Sequence, residues 1–121
     1  MPITSDWLDH LLQIPRAFRT SGKSLRQLFD EASPPGLTDE ELAGKIAARL
    51  RGERSLVKDW QTYSYDKRTN ASPYLDGLEV GEFDGERRDV RCYDDPVDAC
   101  ADFIVRETRS MGSHRYQEPG E

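Results

Sequence analysis

Carboxylate side chains dominate the segment between residues 76 and 102, which has ten of them and only three arginines. They are Asp76, Glu79, Glu82, Asp84, Glu86, Asp89, Asp94, Asp95, Asp98 and Asp102. Carboxylates in a group can bind a metal ion, act as a general acid and base, or form an acidic surface. An acidic surface repels nucleic acid and attracts basic proteins.

The spacing of the aspartates argues against a metal site. Calcium sites need a flexible, oxygen-rich loop with a glycine at its turn. Asp98 and Asp102 are instead four residues apart on a predicted helix, and Asp94 and Asp95 are placed to cap the start of that helix. We therefore predict no metal and no cofactor, and we assign the remaining acids to a protein-binding face.

The other reactive residues do not indicate a catalytic site. His10 and His114 have no base partner or second ligand at a useful spacing, and Cys92 and Cys100 do not follow a zinc spacing. The segment 17–24 fits a phosphate-binding loop only loosely, because a helix is predicted before it and not a strand. We predict a non-enzymatic protein without catalytic residues. A small enzyme with an unrecognised site is an alternative, which a cleft holding His10 near a carboxylate would support.

Residues 44–75 carry the opposite charge, with seven basic and three acidic side chains. Two predicted helices followed by a hairpin are also the order of elements in a winged helix, so a DNA-binding regulator is a second alternative. Its phosphate contacts would come from Lys58, Lys67, Arg68, Arg87 and Arg88. The net charge of −6 and the acidic hairpin make nucleic acid the less favoured partner.

Aromatic residues are frequent just before the acidic segment. Tyrosine and tryptophan combine a large apolar area with a polar tip, which favours them as anchors at interfaces. We expect Trp60 to lie in the core and Tyr65 and Tyr74 to be exposed. The predicted partner-binding residues are Asp76, Asp84, Glu86, Asp98, Asp102, Tyr65 and Tyr74, and the expected partner is a protein with a basic surface.

Local signals predict five helices and one hairpin. Thr38 and Glu41 form a capping box, Gly22 and Gly52 end helices, and Asp95 followed by a proline begins the last helix. That helix is expected to end at Gly112. The hairpin is predicted over residues 78–92, with a loop of three residues at 84–86. This register pairs Leu78 with Cys92, Glu79 with Arg91, Val80 with Val90 and Glu82 with Arg88, and residues 69–73 are expected to form a loop.

These elements predict an α+β fold with a helical N-terminal layer, an antiparallel hairpin or small sheet, and a C-terminal helix packed on it. The length of 121 residues indicates a single domain, over residues 1–111, followed by a flexible tail over 112–121. The sequence contains no apolar run long enough to cross a membrane, and its first residues carry acids where a secretory signal needs positive charge. We expect a cytoplasmic protein.

Residues 60–68, Tyr74, the hairpin and residues 94–104 together resemble the small acidic immunity proteins of bacterial toxin systems. The resemblance covers the C-terminal half of the chain. It implies a cytoplasmic inhibitor that binds one toxin domain tightly. A carboxylate-rich surface suits that role, because it can cover a basic cleft and accelerate association with it.

Overall fold

The computed structural model describes residues 6–32, 36–66, 72–83 and 85–116. These residues form six helices and a three-stranded antiparallel sheet, which confirms the predicted α+β class. In chain order the elements are α1 (Asp6–Leu12), α2 (Ile14–Ser21), α3 (Leu25–Ala32), α4 (Asp39–Gly52), α5 (Ser55–Asp66), β1 (Ser72–Asp76), β2 (Glu79–Phe83), β3 (Arg87–Cys92) and α6 (Pro96–Tyr116).

The helix boundaries follow the capping signals. Thr38 accepts a hydrogen bond from the backbone N–H of Glu41, whose own side chain accepts from the N–H of Thr38. Gly22 closes α2 in the left-handed region, with φ of 78°, and Asp95 Oδ1 accepts from the N–H of Val97 at 2.9 Å. The prediction that the last helix ends at Gly112 is wrong. A single glycine costs a helix only about 1 kcal/mol, and α6 continues through it to Tyr116.

The strands lie in the order β1-β2-β3. Strand β1 corrects the sequence analysis, which placed Ser72 and Pro73 in a loop. Proline disfavours a strand interior but is tolerated at a sheet edge, and β1 is an edge strand. A two-residue turn at Gly77 and Leu78 connects β1 to β2, with Gly77 at a positive φ of 63°. Leu78 is therefore in the turn and does not pair with Cys92.

The predicted three-residue loop between β2 and β3 and the pairing of Glu82 with Arg88 are both confirmed. The rest of the predicted register is wrong by one residue, because Val80 pairs with Arg91 and not with Val90. A bulge in β3 causes this shift, and Asp89 adopts a left-handed φ of 51° there. The shift pairs Glu79 with Cys92 and leaves Val90 44% exposed.

One hydrophobic core joins the helical layer, the sheet and α6. Trp60 lies at its centre with no exposed surface. Its ring packs edge-to-face on Tyr63 and Phe103, with centroids 5.1 and 6.1 Å away. The indole N–H donates to the carbonyl of Leu12 at 3.0 Å, which ties α1 to α5. On the sheet side, Leu75 and Val80 point toward α6 and are buried.

Candidate functional site

The structure separates the predicted partner-binding residues into two regions. We call the first the outer face: it is the side of the sheet turned away from α6, together with the adjacent end of α5. It contains Tyr65, Tyr74, Asp76, Glu79, Gly81, Phe83, Arg87 and Cys92. We call the second the groove: it lies between α4, α6 and β3 and contains Asp98 and Asp102. Glu86 is exposed in the loop between β2 and β3, and Asp84 lies outside the described residues.

Strand alternation positions the residues of the outer face. Successive side chains of a strand point to opposite sides of the sheet. Because Leu75 and Val80 face the core, their neighbours Tyr74, Asp76 and Glu79 face outward. Arg87 points the same way from β3.

Arg87 is the centre of the outer face. Its Nη1 lies 2.7 Å from Glu79 Oε2, and its Nη2 lies 3.8 Å from Asp76 Oδ2. The guanidinium also stacks on the ring of Tyr74, 4.9 Å from the centroid. The Tyr74 hydroxyl donates to Glu79, and the Tyr65 hydroxyl donates to Asp76 at 3.3 Å. The structure thus brings together Tyr65, Tyr74 and Asp76, three of the predicted partner-binding residues. They lie around Arg87, which was predicted only for the DNA-binding alternative.

Gly81 allows Tyr74 to lie across the sheet. The two residues are directly opposite on β1 and β2. A Cβ on Gly81 would be 2.9 Å from the hydroxyl oxygen of Tyr74 and 3.1 Å from the carbonyl oxygen of Arg88. The aromatic ring covers the glycine, an arrangement that compensates for the missing side chain in a sheet.

The pair of Tyr74 and Glu79 has altered pKa values. Burial, followed by the hydrogen bond to Glu79, raises the pKa of Tyr74 to about 12. The same hydrogen bond, supported by Arg87, lowers the pKa of Glu79 below its ordinary value. Near neutral pH, Tyr74 therefore stays neutral and Glu79 stays negatively charged, so the charges of this pair do not change.

Two aromatic side chains on the outer face remain open to solvent. Tyr65 is 67% exposed and Phe83 is 42% exposed. Phe83 was not among the predicted binding residues, although its position two residues after Gly81 places it on the same side of β2. Exposed aromatics beside an arginine have the composition of protein interfaces, where such residues are enriched.

The groove has a volume of about 1500 Å³ and is lined by ten charged side chains. Asp98 accepts a hydrogen bond from Arg51 Nη2 at 3.0 Å. Asp102 accepts from Arg106 Nε at 3.0 Å and from the Tyr93 hydroxyl at 2.6 Å. Both predicted partner-binding aspartates are therefore paired within the chain, and Asp102 has only 17% of its side chain exposed.

Arg106 organises the sheet side of the groove. Besides Asp102, it contacts Glu82 Oε2 at 3.1 Å and the carbonyl oxygen of Asp89 at 3.0 Å. Burial opposes its charge, but the hydrogen bonds and attraction from Asp102 and Glu82 raise the pKa of Arg106 above the ordinary value. Arg106 was not among the predicted site residues. Its spacing of four from Asp102 on a helix was the available signal.

The cysteines occupy contrasting positions. Cys92 is exposed, opposite Glu79 at the end of β3. Cys100 is buried in α6, and burial raises the pKa of its thiol to about 12. Over the described ranges, no group of three or more histidine, cysteine, aspartate or glutamate side chains is arranged to hold a metal ion.

His10 lies at a small hollow of about 300 Å³ that also includes Asp9 and Glu31. Asp9 accepts from Arg49 Nε at 3.0 Å, and Glu31 accepts from Lys23 Nζ at 3.0 Å. Both carboxylates are thus engaged by basic side chains. In the part of the chain that the structure describes, neither of them forms a hydrogen bond with His10, as the orienting group of a catalytic histidine would.

The residues of the DNA-binding alternative are only partly described. Lys67 and Arg68 lie outside the described residues. Lys58 and Arg88 are exposed, whereas Arg87 is engaged by Glu79 and Asp76. In a winged helix, α5 would be the helix that contacts DNA, but its aromatic residues Trp60 and Tyr63 are buried.

Comparison with protein-family models, with curated proteins and with solved structures gave no significant match. No helix within the described ranges is long and apolar enough to cross a lipid bilayer.

Proposed function

We propose that this chain is a non-enzymatic protein-binding domain that attaches its outer face to a basic surface of another protein, in the manner of an inhibitor or immunity protein. The observation that carries the proposal is the position of two exposed aromatic side chains, Tyr65 and Phe83, beside the ordered cluster around Arg87. Aromatic anchors supply most of the binding energy at interfaces, and ordered polar groups next to them supply specificity.

Charge favours a basic partner. Among the described residues of the outer face and the adjoining loop, Asp76, Glu79 and Glu86 give three negative charges, against the positive charge of Arg87. The whole chain has the same sign, with a net charge of −6. Complementary charge increases the association rate more than the final affinity.

The outer face is a better binding surface than the groove, because two exposed aromatic side chains lie beside its charges and its central arginine is open to solvent. Asp76 has 51% of its side chain exposed and Arg87 has 52%, whereas Asp102 has 17% and Arg106 has 15%. Acids that are already paired and partly buried attract a partner weakly. Asp98 is 44% exposed but paired with Arg51, so we place the main acids of the proposed binding surface at Asp76 and Glu86.

The test is quantitative affinity capture from cells of the source organism, followed by measurement of Kd with the purified partner. The wild type is compared with a Tyr65→Ala/Phe83→Ser variant and with an Asp98→Lys/Asp102→Lys variant. We expect the first variant to weaken binding by more than about thirtyfold, since an aromatic hot spot contributes about 2 kcal/mol or more. The second variant tests the original assignment to the helix acids.

A partner that binds the Tyr65→Ala/Phe83→Ser variant as tightly as the wild type would refute the outer face as the interface. Salt supplies an independent check, because attraction between a basic partner and an acidic face weakens as ionic strength rises. A short random-sequence DNA duplex is the control ligand. The duplex could bind at low salt, with binding weakened by Lys58→Ala and by Arg88→Ala. In that case the DNA-binding alternative would replace the proposal.

A further inference from the structure

The outer face already holds a guanidinium group, which belongs to Arg87. The guanidinium carbon lies 4.9 Å from the centroid of the Tyr74 ring, and its nitrogens lie 2.7 Å from Glu79 Oε2 and 3.8 Å from Asp76 Oδ2. An aromatic ring beside two carboxylates suits a group that is planar and cationic. We call Tyr74, Asp76 and Glu79 the guanidinium site.

Contacts within β1, β2 and α5 hold the guanidinium site together without help from β3. The ring of Tyr74 lies over Gly81, and its hydroxyl donates to Glu79. The hydroxyl of Tyr65 donates to Asp76 at 3.3 Å. Each carboxylate of the site is therefore tied to a tyrosine as well as to the resident arginine, and the site should persist when that arginine leaves it.

Arg87 is held weakly in the guanidinium site. Its side chain is 52% exposed, and its distance of 3.8 Å to Asp76 is too long for a hydrogen bond. Exposed ion pairs add little to stability, because water competes for both charges. A partner that gains binding energy from Tyr65 and Phe83, which are exposed on the same face, can therefore displace this arginine at little cost.

The charges of the site select an arginine as the incoming side chain. Once Arg87 has left, Asp76 and Glu79 present two negative charges beside the ring of Tyr74, and the two arginines do not share the site. A lysine would gain the same attraction but lacks the planar group that stacks on a ring and binds carboxylates through two nitrogens. An incoming carboxylate would meet two acids against one arginine, so the net charge opposes it.

We propose that the guanidinium site binds an arginine of the basic partner, and that Arg87 blocks this site in the free protein and is displaced on binding. The inference rests on the proposed function and deepens it, because it names the partner's side chain and the contact that restrains binding. It also sets the sign of one mutational effect. Removal of Arg87 should strengthen binding, whereas removal of an arginine that contacts a partner weakens it.

The direct test uses N-acetyl-arginine N-methylamide as the probe and needs no partner. Binding is followed by NMR through the ring protons of Tyr74. In Arg87→Ala the site is open, and we expect a Kd in the millimolar range. In the wild type the probe competes with the tethered arginine. A site that is open no more than about a tenth of the time raises the apparent Kd at least about tenfold, and we expect a difference of that size.

Arg88→Ala is the matched control. It removes the same charge from the adjacent position of β3, whose side chain points to the other side of the sheet. The probe should bind this variant as weakly as it binds the wild type. In the Arg87→Ala background, Glu79→Gln should weaken probe binding severalfold, because a charge-assisted hydrogen bond is lost. The lysine analogue, N-acetyl-lysine N-methylamide, should also bind Arg87→Ala severalfold more weakly than the arginine probe.

The captured partner provides the second measurement. Arg87→Ala should lower its Kd at least about threefold relative to Arg88→Ala, since no resident arginine has to leave. Three results would overturn the inference: no binding of the probe to Arg87→Ala at tens of millimolar, equal binding of the arginine and lysine probes, and partner binding that Arg87→Ala weakens. The probe experiment uses no partner. Its failure is therefore distinct from failure of the proposed function, which Tyr65→Ala/Phe83→Ser tests on the captured partner.

Discussion

The outer face and the groove contain the same chemical motif in two different environments. In each, one arginine contacts two carboxylates, and a tyrosine donates to one of those carboxylates. On the outer face the arginine is Arg87, with 52% of its side chain exposed, and in the groove it is Arg106, with 15% exposed. The comparison shows that the same residue types can form a solvent-exposed cluster in one place and a largely buried one in another.

Solvent exposure determines how much the ion pairs of each cluster contribute to the stability of the fold. Exposed ion pairs contribute about 0 to 1 kcal/mol, since water competes for the charges and salt screens them. Removing one partner from a poorly solvated pair costs more, because the other charge is left without compensation. The Arg106 cluster should therefore hold α6 to the sheet, and the Arg87 cluster should order a surface.

The largest expected effect is that of Arg106→Met. The substitution keeps most of the side-chain volume but removes contacts to Asp102, Glu82 and the carbonyl of Asp89. We expect the free energy of unfolding to fall by about 2 to 3 kcal/mol. Chemical denaturation, followed by far-ultraviolet circular dichroism, measures it.

Arg87→Met is the matched control for that measurement. It should lower the free energy of unfolding much less than Arg106→Met does, because its ion pairs are exposed. Equal losses in the two variants would contradict the distinction between the regions.

The second prediction concerns Gly81→Ala. The added Cβ would meet the hydroxyl of Tyr74 at 2.9 Å and the carbonyl oxygen of Arg88 at 3.1 Å, so the tyrosine ring must shift over the sheet. We expect a loss of about 1 to 2 kcal/mol in thermal or urea denaturation, together with a weaker partner affinity. Gly44→Ala is the control, and it should stabilise the protein by about 0.5 to 1 kcal/mol, since the helix gains an alanine in open space.

The smallest effect is expected for Tyr74→Phe, and it depends on pH. The Tyr74 hydroxyl is the main cause of the lowered pKa of Glu79, so this pKa should rise toward its ordinary value in the variant. A carboxyl group whose pKa is lowered by folding stabilises the fold at pH values above its ordinary pKa. This stabilisation is lost as the pH falls through the lowered pKa. The stability difference between the wild type and the variant should therefore shrink in acid.

Carbon-13 NMR titration of the Glu79 carboxyl measures that pKa shift directly. In alkali, the relevant group is Tyr74, whose raised pKa stabilises the fold at pH values below the ordinary pKa of tyrosine. This contribution is lost as the pH rises through about 12. An unchanged Glu79 titration in Tyr74→Phe would show that Arg87, and not the tyrosine, controls the carboxylate.

The sequence was sufficient to predict the elements that depend on local signals. The capping box at Thr38, the end of α2 at Gly22 and the start of α6 at Asp95 each involve residues within one turn of a helix, and all three are confirmed. The loop of three residues in the hairpin was also predicted correctly. The bulge at Asp89 was not predicted, and Arg106, which donates to the Asp89 carbonyl, lies seventeen residues away in the chain.

The candidate site was predicted less completely than the fold. Tyr65, Tyr74 and Asp76 do lie together, as exposed or half-exposed residues of one face. Asp98 and Asp102 were assigned to the binding surface because their partners could not be known from the sequence. Arg51 reaches Asp98 from another helix, and only the packing of α4 on α6 brings them together.

The two thiols differ in solvent exposure, and this difference allows selective labelling of the protein. Cys92 is exposed on the outer face, and burial suppresses ionisation of Cys100. At mildly alkaline pH, an alkylating fluorophore should therefore attach at one position without any engineering of the chain. A dye at this natural labelling position sits on the proposed interface, where it can report occupancy by a partner before that partner has been identified.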